Sequence, residues 1–176
     1  MKVRGECGAG LIELAVAMLV LSIGTLGLAR GQLAARQASG EALQRSEAVL
    51  LGSGLLEQVR GNTDALPAYS LSDIDEVVKP EHDCAQASCD AMQWGSWNLW
   101  YWLQGVRGSA VSDENGTIIA GLIAPQACLS TGLEESLLEL SWMITPSSRK
   151  LSCSEFNPQA GVRIVSFALH IEATPS

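Results

Sequence analysis

Basic residues are scarce in this chain, and proline is missing from its first third. Lys and Arg number 11 against 19 Asp and Glu in 176 residues, for a formal charge of −8. Arg149-Lys150 is the only adjacent basic pair. Phosphate contacts need clustered basic side chains, so this composition argues against nucleic-acid binding. No proline precedes Pro67, so no ring interrupts a helix before it. There are two histidines, His82 and His170, and neither has a nucleophile beside it. Nucleophile-elbow, phosphate-loop and H-E-x-x-H motifs are missing too, so the chain reads as a non-enzyme with no cofactor. The acidic stretch Asp73, Asp75, Glu76, Glu81 and Asp83 lacks the spacing and central glycine of an EF-hand, and reads as a solvated loop. Asn115-Gly116-Thr117 fits a glycosylation triplet, but Asn-Gly reads more simply as a turn before a strand.

What is present begins with a long apolar run, Leu11 to Ala29, whose only charge is Glu13. A lone carboxylate there costs roughly 2.5–3.5 kcal/mol if placed near the centre of a membrane helix. Such a residue calls for a partner. A cut after Gly8 would make Ala9 the new first residue and Glu13 the fifth, close to a positively charged amine. Gly8, Ala9 and Glu13, followed by Leu14, Val16, Leu19, Val20 and Leu21, resemble the class III signal of type IV prepilins and pseudopilins. Ala9 stands where that family usually has Phe or another bulky apolar residue. The resemblance implies cleavage by a prepilin peptidase, methylation of Ala9, and a Glu13 that meets the N-terminal amine of a neighbouring subunit. Two other readings of the run stay open. One is a removed secretory signal, with Gly27-Leu28-Ala29 as its cleavage site. The other is a plain membrane anchor, since about 20 helical residues span the roughly 30 Å hydrocarbon core. Lys2 and Arg4 ahead of the run set the N-terminus inside.

Loss of residues 1–8 would remove Lys2, Arg4 and Glu6 and bring the formal charge to −9. It would also remove Cys7 and leave Cys84, Cys89, Cys128 and Cys153. An even count in an exported domain reads as two disulfides, with three possible connectivities. Cys84–Cys89 and Cys128–Cys153 are the preferred pairs. Zinc is the competing reading, but the C-x2-C spacing is missing.

From Arg30 to Arg60 strong helix formers dominate, so the helix is expected to continue to Gly61-Asn62. Leu43, Leu50, Leu51, Leu55 and Val59 are expected to share its apolar face. Gly24, Gly27 and Gly31 are its soft points. Residues 116–124, 133–144 and 161–172 read as strands. The second and third alternate, with Leu138, Leu140, Trp142 and Ile144, then Val165, Phe167, Leu169 and Ile171, on one side. The expected fold is α+β, a long N-terminal helix on a C-terminal antiparallel sheet. Residues 90–104 read as a short helix with Trp94, Trp97 and Tyr101 on one face. That face suits either packing on the sheet or a partner surface.

The C-x4-C loop followed by a Trp-rich helix is similar to the PilV-type minor pilins, or type IV pilus modification proteins. The organisation that follows is a leader at 1–8, a transmembrane and assembly helix at 9–29, its amphipathic half at 30–61, and a periplasmic head at 62–176. The resemblance implies an inner-membrane subunit that passes into a pilus fibre or tip. Its implied partners are prepilin peptidase, the assembly platform, other minor pilins, the major pilin and a tip adhesin. A minor pseudopilin of a type II secretion system shares the same signal. A signal-anchored periplasmic binding domain is the alternative from a different class.

Overall fold

The computed structural model describes residues 9–109, 114–115, 120–132, 134–144, 153 and 161–170. One helix, α1, runs over Ala9–Arg60. The chain divides into two compact units, Met1–Ala42 and Leu43–Ser176, and α1 contributes to both. In the first unit every described side chain of the helix is exposed except that of Glu41, which is half-buried. Two of its hydroxyls close onto the helix itself: Ser22 donates to the Met18 carbonyl at 2.7 Å and Thr25 to the Ser22 carbonyl at 3.0 Å. That removes their need for water, as a hydrocarbon environment requires.

In the second unit α1 ends at Gly61, whose N–H bonds the Glu57 carbonyl at 3.0 Å. The Asn62 side chain then donates to the Ala91 carbonyl at 2.8 Å, joining the helix end to the start of the next helix. A 3-10 turn over Thr63–Tyr69 contains Pro67 and buries Leu66 and Tyr69. Helix α2, Ala91–Val106, starts at a complete capping box. The Asp90 carboxylate accepts from the Gln93 N–H at 2.8 Å, and the Gln93 side chain accepts from the Asp90 N–H at 3.0 Å. Gly95 lets α2 approach the 3-10 turn closely, for an added Cβ would lie 2.8 Å from the Ala68 Cβ.

Three strands form an antiparallel meander, β1 Gln126–Ser130, β2 Glu135–Met143 and β3 Val162–His170, in the order β1-β2-β3. Leu140 stands opposite Ala127 on one side and Val165 on the other. Along β2, Leu138, Leu140 and Trp142 are buried as their alternation implies, and Leu169 is buried on β3. They meet Ala48, Leu55 and Val59 of α1 and Leu99, Trp102, Leu103 and Val106 of α2 in one core. The α+β architecture, long helix with antiparallel sheet, is therefore as expected.

Three expectations change. Leu43 and Leu50 are 70% and 73% exposed, on the side of α1 away from the core. The buried side is set by Ala48, Gly52, Leu55 and Val59, where small residues let the sheet come close. At Gly52 an added Cβ would lie 2.3 Å from the Phe167 ring. Second, residues 120–124 of the expected strand 116–124 are irregular, and 116–119 lie outside the described residues. Gly121, at φ 94°, and Gly108, at φ 70°, are packed backbone to backbone there, and Leu122 N–H bonds the Val106 carbonyl at 3.0 Å. The segment closes the end of α2 and touches the sheet through one backbone bond, from the Met143 N–H to the Ile123 carbonyl at 2.9 Å, without forming a strand. Third, the strand on that side of β2 is the short β1, which shows no alternation because both its faces are covered. Ile171 lies outside the described residues.

Candidate functional site

Two surfaces stand out. The first is the exposed apolar start of α1. Its most hydrophobic 18-residue window has a mean hydropathy of 2.2 and no buried residue, and the helix is long and apolar enough to cross a membrane. Glu13 is exposed on its first turns. Ala9 is the first helical residue, and Gly8 lies outside the described residues. Around Gly24, Gly27 and Gly31 an added Cβ would meet nothing within 4 Å. Packing among the described residues therefore does not explain why these glycines replace better helix formers.

The second surface is the outer side of α2. At 3.6 residues per turn, Trp94, Trp97, Trp100 and Tyr101 fill an arc of about 120°, opposite Gly95, Leu99, Trp102, Leu103 and Val106. The inward arc is core: Trp102 is buried, and its indole N–H donates to the Leu51 carbonyl of α1 at 2.8 Å. The outward arc does not pack on the sheet. Half of it is covered by the loop after Ile74–Glu76, where the Lys79 ammonium sits 5.7 Å from the Trp97 ring centroid and 5.4 Å from that of Trp100. The two rings are themselves 5.0 Å apart and tilted by 48°. Cation–π contacts of this kind contribute about 0.5–2 kcal/mol, more as the site is desolvated. Trp97 is buried by this cover, whereas Trp94 is 40% and Tyr101 64% exposed.

The loop is held from both ends. Cys84 and Cys89 form a disulfide just before the Asp90 cap. Past α2, the Arg107 guanidinium donates to the Ile74 carbonyl and lies 3.9 Å from an Asp75 carboxylate oxygen. Cys128 and Cys153 form the second disulfide, which attaches residue 153 to β1. Carboxylates of the acidic stretch serve the backbone. Asp73 accepts from the Asp75 N–H at 2.9 Å, and Asp83 from the Ala85 N–H at 3.0 Å. Among the described residues no group of three or more His, Cys, Asp or Glu is placed to hold a metal ion.

Sequence reasoning passed over Lys79 and Gly52. Lys79 carried a signal, as the single lysine in an otherwise acidic stretch. Gly52 carried none, because nothing in the sequence announces that Phe167 will lie against it.

Residues 31–100 match the model of the Tt1218-like family, described as type IV pilin Tt1218. The matched stretch takes in the later part of α1, the Cys84–Cys89 loop and most of α2. No curated protein and no solved structure gives a match. The family match supports a type IV pilin, a structural class of subunit that assembles with other pilins. With the exposed apolar helix, it is consistent with a membrane-anchored pilin.

Proposed function

We propose that the chain is a minor pilin. It is inserted in the inner membrane with residues 1–8 inside, cut after Gly8 and methylated on Ala9, and it takes part in initiating a type IV pilus and in its tip or fibre. The observation that carries this reading is a helix most apolar where its own chain leaves it bare, with Glu13 as the one charge in that stretch.

The chemistry is electrostatic and hydrophobic. Glu13 meets the amine of a neighbouring subunit in a low dielectric, where Coulomb attraction greatly exceeds its value in water. Leu14 to Leu28, all exposed where described, pack on neighbouring helices. Trp94, Trp97 and Tyr101 belong to a partner surface on the head, Trp97 as its buried support. The partners are prepilin peptidase, the assembly platform, other minor pilins, the major pilin and a tip adhesin.

The deciding measurement is the mass of the N-terminal peptide, taken from membranes and from sheared surface fibres. A methylated peptide starting at Ala9 and recovered with fibres is expected. The same peptide confined to membranes favours a type II secretion pseudopilin. A peptide starting at Met1 or near Arg30 means an uncut anchor or a removed signal, and overturns the reading.

A further inference from the structure

The outer arc of α2 is half filled. Trp97 and Trp100 hold the Lys79 ammonium above their faces. Trp94 and Tyr101 continue the same arc, and they remain exposed. We propose that Trp94 and Tyr101 are the docking site for a basic segment of a partner protein, whose Arg or Lys side chains stack on these rings as Lys79 does on theirs.

Charge selects this occupant. Between Gly61 and Arg107 the chain carries seven carboxylates against two cations, Arg107 beside Asp75 and Lys79, which keeps its charge over the Trp97 and Trp100 rings. Asp64, Glu81 and Asp90 are exposed, on segments that pack against α2 or cap it. Asp90 lies one turn from Trp94, whose N–H bonds its carbonyl at 2.9 Å. A cation arriving at the rings thus enters a negative field, which favours encounter and rejects acidic partners. The same field argues against an anionic lipid surface. It also argues against a second copy of this face, which would set carboxylates against carboxylates. Aromatic residues flanked by polar ones are the composition from which binding hot spots are built.

The inference rests on the subunit reading only for the existence of a protein partner. The N-terminal mass tests that reading without involving α2, and a peptide titration tests α2 without cleavage or assembly. The experiment titrates the full chain in detergent micelles with a short synthetic peptide of alternating arginine and leucine. Peptides with citrulline or glutamate in place of arginine are run beside it. The arginine peptide is expected to bind and to shift the Trp94 indole N–H resonance. Trp94→Ala should weaken binding at least ~tenfold, Trp94→Phe should retain most of it, and the citrulline peptide should lose it. Tyr101→Arg, at a position exposed enough to tolerate the change, should repel the peptide and so gives an answer even if Trp94→Ala fails to fold. Equal binding of the citrulline or glutamate peptide overturns the proposal, as does no binding up to millimolar concentration. Self-association of the chain that disappears in Tyr101→Arg overturns it too, and assigns the face to a second copy.

Discussion

Residues 10–42 and residues 43–60 belong to one helix and solve opposite problems. The first stretch is the more apolar, and none of its large side chains is buried by this chain. The second is more polar, with Glu41, Arg45, Glu47 and Glu57 in or beside it, yet it puts Ala48, Leu55 and Val59 entirely out of water. Hydrophobicity alone does not say where the core of this protein lies. An apolar run becomes core only where the rest of the chain supplies a complementary face. Residues 43–60 have the sheet and α2, whereas the apolar run of the first stretch has no such face among the described residues. Small residues mark the difference: Gly52 is filled by Phe167, while Gly24, Gly27 and Gly31 are filled by nothing among the described residues.

The largest effect expected from breaking this contrast belongs to Glu13. Glu13→Ala removes one carboxylate from the uncovered stretch and touches no core residue. It should leave the N-terminal cut intact while reducing the amount of subunit in sheared fibres at least ~tenfold, by quantitative peptide mass. Normal incorporation would remove the amine-pairing account. Within the covered stretch, Leu55→Ala should destabilise the head by about 2–5 kcal/mol in urea unfolding, through the cavity it leaves. Leu50→Ala, five residues earlier and on the exposed side of the helix, should stay within about 0.5 kcal/mol. Similar losses for both would show that the helix is covered on both sides.

Loop closure gives the next effect. The Cys128–Cys153 bond spans 25 residues and Cys84–Cys89 spans 5. In the chain-entropy picture, replacing the first pair by serine costs about 3.5 kcal/mol, and replacing the second about 2 kcal/mol. A reversed order in urea midpoints would show that the short loop does more than restrict the unfolded chain. The smallest effect is at the glycines. Gly52→Ala should lower stability by about 1 kcal/mol, overpacking against Phe167 outweighing the gain in helix propensity. Phe167→Leu in the same chain should recover much of that loss, a coupling that a double-mutant cycle reads directly. Gly27→Ala should leave the head's midpoint unchanged.

The second half of the head shows where local reading fails. Alternation was legible in β2 and β3 because one face of each strand meets the core and the other does not. It was illegible in β1, where Cys128 turns toward the disulfide and Ala127 and Leu129 toward the core, so both sides carry apolar or bonded residues. Of residues 120–124 only Ile123 is a strong β-former, and Gly121 lets the backbone pass against Gly108, a contact that sets the course of the segment. In α2 the helix and its aromatic arc were legible from spacing. That Lys79 would cover half of the arc was not, because it depends on a loop whose course is set by the Arg107 bond to Ile74 and by the Cys84–Cys89 bond.

By itself the sequence determined where α1 ends, since no proline interrupts the chain before Gly61-Asn62 and that pair stops the helix. It determined the capped start of α2 at Asp90 and the inward faces of β2 and β3. These are local matters of backbone propensity, capping and side-chain period, which neighbours in sequence decide. The tertiary structure alone decided which side of α1 is buried, which strand stands beside β2, and which tryptophans remain open to a partner. Each of these depends on groups far apart in the chain meeting at a distance of a few ångströms, and no local pattern encodes that meeting.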